Sequence, residues 1–175
     1  MKNALVIIDV QNGFINDNDK EVITKIVEYS NKNHFDHIVA TAYINNYNTA
    51  CHIFEHWDEC MAGTFSAEIV PAIQDISERI FEKSKYSCWN KEFRQWVKDN
   101  NIDRLYIVGV DTECCVLSSA FDSYNDLQDI VVVEDLCDSS NGYDYHKAGI
   151  LILKQCITNM RVIQSSAGIL PDNIE

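Results

Sequence analysis

Residues 104–116 read RLYIVGVDTECCV. The run Leu105–Val108 is apolar without alternation, as expected of a strand buried on both faces. Gly109 ends the run, and Asp111 and Thr112 follow at once. Thr112 is the expected N-cap of a helix, with Glu113 in its first turn. A buried strand passing through a short loop into a helix is half of a βαβ unit.

The same rhythm extends in both directions. Further apolar runs lie at Ala4–Ile8, His37–Ala42, Arg79–Phe81, Ile130–Val133 and Arg161–Ile163. Between them, Val22–Asn33, Glu92–Asn100, Cys114–Leu127 and Tyr145–Cys156 place apolar residues at three- and four-residue spacing, the period of an amphipathic helix. This alternation predicts an α/β protein: a three-layer α/β/α fold on a mostly parallel sheet of about six strands with right-handed crossovers. No linker divides residues 1–175, so one domain is expected. Tyr43–Glu68, long and aromatic, interrupts the rhythm and reads as an inserted lid or interface segment.

Composition excludes several classes of function. Fourteen Lys and Arg stand against 27 Asp and Glu, a net charge of −13. A nucleic-acid partner needs a cationic face, which argues against one, and anionic membranes attract such a chain weakly. No window approaches a membrane-spanning apolar length. The N-terminal MKNALVIIDV is too short in its apolar part for a secretory leader. Seven cysteines, an odd count with no C-x-x-C, argue against a disulfide framework and for a reducing compartment. A cytoplasmic location is expected.

In open parallel sheets, ligands bind beyond the carboxyl ends of the strands. There the sequence places Asp9 after the first run, Tyr43 and Asn45 after the second, Lys83 and Tyr86 after the third, and Cys115 after the fourth. Cys115 reads either as a small buried residue or as a nucleophile whose proton is loosened by the helix dipole. Unpaired N–H groups at such a turn can hold an oxyanion. Asp9 reads as a turn former or as a general base. Lys83 reads as a solvated lysine or as a charge partner of both. Glu134–Asp138 reads as a solvated loop, and His146 as a surface or capping residue.

Three blocks together resemble the isochorismatase-like cysteine hydrolases, a superfamily that includes nicotinamidases and carbamoylsarcosine amidases. They are DVQNGF from Asp9 to Phe14, EKSKYSCW around Lys83, and GVDTECCV from Gly109 to Val116. The second is similar to K-x-x-Y-S-x-F, which selects Lys83 over Lys85. The third is similar to G-[IV]-x-T-[DE]-x-C-V, which selects Cys115 over Cys114 and leaves Cys114 as a packed neighbour. The likeness runs from about residue 3 to about 165. It implies an isochorismatase-like fold and hydrolysis of a small amide or related C–N substrate through a thioester. Asp9 would be the base, Lys83 would tune charge and Cys115 would be the nucleophile. It further implies a cis peptide at Val110–Asp111 and an oxyanion hole of the Asp111 and Cys115 backbone N–H groups. Alternatives are a vinyl-ether hydrolase of the isochorismatase type, in which the cysteine is typically replaced, and a non-catalytic binding module of the same fold.

The chain departs from nicotinamidases where they carry a metal motif D-x-H. Tyr43 and Asn45 occupy those positions, so no metal and no cofactor are expected. His52, His56 and Cys60 are spaced by four and would share a face if the segment were helical. Phe14, Tyr43, Asn45, Tyr86 and Trp89 are candidate substrate-binding residues, with Trp57 a further aromatic near them. The resemblance also implies a homo-oligomer, a dimer or tetramer.

Overall fold

A computed structural model describes residues 1–172. Six strands form one sheet in the order β3-β2-β1-β4-β5-β6. They are β1 (Asn3–Ile8), β2 (His37–Tyr43), β3 (Arg79–Lys83), β4 (Arg104–Gly109), β5 (Asp129–Cys137) and β6 (Val162–Ile163). Every neighbouring pair is parallel, so the sheet among the described residues is wholly parallel. The helices are α1 (Glu21–Lys32), α2 (Ala50–Glu55), α3 (Pro71–Ile76), α4 (Lys91–Asp99), α5 (Leu117–Asn125) and α6 (Tyr143–Cys156).

Alternate strand residues feed two cores, one on each face. Leu5, Ile7, Tyr106 and Val108 pack with Val22 and Ile26 of α1 and Ile73 of α3. Val6, Ile8, Leu105 and Ile107 pack with Phe93 and Trp96 of α4, Ala120 of α5, and Ile150 and Leu153 of α6. Both faces are therefore covered, which explains the unbroken apolar runs. No helix among the described residues is long and apolar enough to cross a membrane.

Several boundaries differ from the sequence reading. Lys83 is the last residue of β3 rather than part of the following loop. Glu134–Asp138 is not a solvated loop, because β5 continues to Cys137. The acidic residues of that stretch have partners: Asp135 accepts from Ser165 N and Oγ, and Glu134 pairs with Lys154. The insert Tyr43–Glu68 is mostly irregular, with α2 and a 3₁₀ turn at Phe65–Ala67. Thr49 caps α2, accepting from His52 N. The helix ends at Glu55 with His56 in a left-handed conformation, so His52, His56 and Cys60 share no helix face. His52 instead bonds Asp58 through its ring.

At the base of β4, the buried Arg104 pairs with Asp129 and donates to the carbonyls of Leu170, Pro171 and Asp172.

Candidate active site

The strand order reverses beside β1: β2 and β3 lie on one side, β4 on the other. The crevice between the carboxyl ends of β1 and β4 is therefore the topological switch point, where such sheets take their ligands. Asp9 leaves β1 with a positive φ of 49° and is fully buried. Its backbone N–H donates to Thr41 O, and Thr41 Oγ1 donates to Asp9 Oδ1 at 2.6 Å. Lys83 reaches back from two strands away. Its ammonium lies 2.5 Å from Asp9 Oδ2 and 3.1 Å from Lys85 O.

The chain leaving β4 supplies the thiol. Gly109 has φ +115°, and a Cβ there would lie 2.2 Å from Ile8 O. Only glycine fits this crossing beside β1. The Val110–Asp111 peptide is cis. Thr112–Val116 then forms a single π-helical turn that leads into α5. The cap position falls on Asp111, not Thr112. Thr112 Oγ1 donates to Asp138 O and sits 2.8 Å from His146 Nδ1. His146 is thus buried against this turn, not a surface or capping residue. Gly149 of α6 lies so close that a Cβ would meet Glu113 N at 2.9 Å.

Cys115 Sγ lies 3.4 Å from Lys83 Nζ, so carboxylate, ammonium and thiol meet in one buried cluster. Burial pushes the Cys115 thiol well above its ordinary value, Asp9 adds to the rise, and Lys83 only opposes it. The expected lowering by a helix dipole is overruled: desolvation at this depth outweighs the partial charge of one turn. Burial also disfavours the charge on Lys83, yet Asp9 and Cys115 hold its pKa above the usual lysine value.

Cys115 forms part of the floor of a cavity of about 350 Å³. Phe14, Tyr43, Tyr86 and Trp57 line it. Phe14 stacks on Trp57 at 5.5 Å, and Tyr43 leans on both. The insert therefore completes the cavity of its own chain. Two candidates do not line the cavity. Trp89 turns onto Phe93 and donates to Asp126. Asn45 is fully buried and braces the insert, donating to Trp57 O at 2.7 Å and Glu59 O at 3.0 Å. Conversely, Cys51, which lies in no motif, and Cys114, which the third block leaves as a neighbour of Cys115, both line the cavity. Cys114 is half-buried rather than packed away, with its thiol pushed up to about 11 by burial. Glu55, Ser140 and Asn141 also line the cavity. No cluster of His, Cys, Asp and Glu suited to a metal occurs among the described residues.

Sheet, crevice and cavity define a Rossmann-like three-layer α/β/α protein with its site at the switch point. Within that class the chain belongs to the isochorismatase family: the isochorismatase domain matches residues 3–165. Isochorismatase family protein 2A of Dictyostelium discoideum is 31% identical over 78 residues, 43% of this chain and 38% of that protein. Isochorismatase family protein 1B of the same organism is 28% identical over 92 residues, 51% of this chain and 45% of that protein. The matches thus span less than half the length of these relatives. An isochorismatase-like hydrolase from Alkaliphilus metalliredigens superposes with a TM-score of 0.83 at 20% identity, covering 95% of this chain and 96% of that one. A nicotinamidase/pyrazinamidase from Acinetobacter gives 0.81 at 22% identity, covering 96% and 98%. These structures share the fold.

Proposed function

We propose that this protein is a cysteine hydrolase of small amides, with Asp9, Lys83 and Cys115 as its catalytic residues. The observation that carries the reading is the contact of Lys83 Nζ with both Asp9 and Cys115 beneath an open cavity. Similarity to a nicotinamidase/pyrazinamidase in fold supports an amide as the substrate class.

Because the resting thiol holds its proton, attack needs a base, and Asp9 is the base at hand. Asp9 accepts the proton as Cys115 Sγ bonds to the amide carbon. The carbonyl oxygen becomes an oxyanion, held by the backbone N–H groups of Asp111 and Cys115. As the C–N bond breaks, the proton on Asp9 passes to the leaving nitrogen, and a thioester remains. Asp9 then takes a proton from water, whose oxygen attacks the thioester. Return of that proton to sulfur releases the acid and restores the thiol. Lys83 stays charged throughout, orienting Asp9 and offsetting negative charge on sulfur.

The test is ammonia release from a panel of small amides, with Cys115→Ala as the comparison. The wild type should release ammonia and the variant none, with a trapped thioester in acid-quenched wild type. Equal release by both proteins would overturn the reading.

A further inference from the structure

The cavity has a charge character that its catalytic residues do not explain. Among the described residues, the charged side chains that line it are Glu55 and Asp111, and no Lys, Arg or His lines it. Lys83 adds no accessible cation. Its side chain is 2% exposed, and its donors face Asp9, Lys85 O and Cys115. Asp111 is fixed at the wall, with its two carboxylate oxygens accepting from Ser140 N at 2.7 Å and Ser140 Oγ at 2.9 Å. Behind it, Glu113 Oε1 accepts from Ser139 Oγ and Asn141 Nδ2, while Glu113 Oε2 and Asp19 Oδ2 are buried without a partner among the described residues. At the mouth, Tyr86 OH donates to Glu55 Oε1 at 3.2 Å. Phe14, Trp57, Tyr43 and Tyr86 add aromatic side chains to the wall, with Phe14 stacked on Trp57 and the Lys83 ammonium over the Tyr43 ring.

An anion entering this space would meet two carboxylates and no counter-charge. A cation would meet two carboxylates beside aromatic side chains, which tolerate a positive charge better than a negative one. We propose that the cavity selects amides bearing a positively charged group, such as a quaternary ammonium, and rejects amides bearing a carboxylate. This deepens the amidase reading and rests on it for turnover, though not for binding. The net charge of −13 would also draw such substrates in from a distance.

The experiment uses amides matched in size: trimethylammonio-acetamide, its uncharged tert-butyl isostere, and malonamate. Ammonia release is compared after division by each compound's hydroxide-catalysed rate. The cationic amide should exceed malonamate in kcat/KM by about tenfold or more, with the neutral isostere between. Glu55→Lys should lower that cation-to-anion ratio by about tenfold, a within-variant ratio that cancels any general loss of activity. Calorimetric titration of Cys115→Ala with the same compounds reads binding without turnover. Cation-selective binding with no turnover in the wild type would sink the amidase reading and leave the selectivity standing. Turnover without preference, preference for malonamate, or a ratio indifferent to Glu55→Lys would overturn the selectivity and leave the amidase reading standing. Absence of cation binding in the titration, with no turnover, would overturn both.

Discussion

His146 Nδ1 lies 2.8 Å from Thr112 Oγ1, and this contact fastens the last helix to the turn that carries Cys115. The Thr112 hydroxyl has one proton, and it is directed at Asp138 O. His146 must therefore donate from Nδ1, which fixes its neutral tautomer. Burial lowers the His146 pKa, in keeping with a neutral ring. His146→Ala should destabilise the protein by about 1–2 kcal/mol through the lost bond and unfilled space. A urea titration measures it, and an unchanged midpoint would show that the contact contributes nothing. The sign for pH follows from the lowered folded pKa. The unfolded chain takes up the proton more readily, so this contribution is lost as pH falls through 6.5 and below.

The Lys83–Asp9 pair is buried on both sides, with side-chain exposures of 2% and 1%. Removing one partner leaves the other charge buried alone. Lys83→Met or Asp9→Asn alone should each cost about 3–5 kcal/mol, whereas the double variant should recover part of that loss. All three should be inactive. Additive losses in urea unfolding would show that the two groups do not act as a pair.

Alkylation of Cys115 by iodoacetamide in the free protein should keep rising to alkaline pH, because burial holds the thiol well above its ordinary value. Peptide mapping after timed quenching gives the rate at each pH. A plateau between pH 6 and about 8 would mean a standing thiolate and would remove the need for Asp9 as base.

Asp19 is fully buried; its Oδ1 accepts from Asn16 N, and its Oδ2 has no partner among the described residues. Burial raises its pKa from 3.8 to about 6. The folded chain therefore holds this proton more tightly than the unfolded chain, and stability declines as pH rises from about 4 to about 6. Asp19→Asn should remove that decline, gaining on the order of 1–3 kcal/mol relative to wild type across the window. Thermal melts of both proteins at pH 4, 5, 6 and about 7 read the difference. Parallel curves would contradict the assignment.

Trp89→Phe should leave amide hydrolysis unaltered, since Trp89 packs on Phe93 and bonds Asp126 away from the cavity. Trp57→Ala, which opens the stacked wall beside Phe14, should raise KM about tenfold. Steady-state kinetics distinguish the two, and a reversed pattern would mean the wall has been misidentified.

The strands were legible because a sheet covered on both faces demands unbroken apolar runs, and Ala4–Ile8 or Leu105–Val108 have few other uses. The meeting of Asp9, Lys83 and Cys115 was legible for a related reason: parallel strands bring their carboxyl ends to one edge. The insert was not. Asn45 and Trp57 meet through a side chain and a carbonyl twelve residues apart, a pairing with no period to reveal it. Trp89 was misplaced because its nearness to Tyr86 in sequence says nothing about which way the chain turns after Cys88. His146 reads as the polar start of an amphipathic helix, and its partner Thr112 is 34 residues away. The thiol's proton affinity was misjudged because a motif carries the local turn but not the depth at which it lies.

Arg104 gives the tail a standing that its position in the chain conceals. Its guanidinium is held among the carbonyls of Leu170, Pro171 and Asp172 at the foot of the central strand. A protein shortened to residue 169 would strand those donors in a closed space, so trimming the tail as if it were slack would loosen the sheet at the end opposite the chemistry.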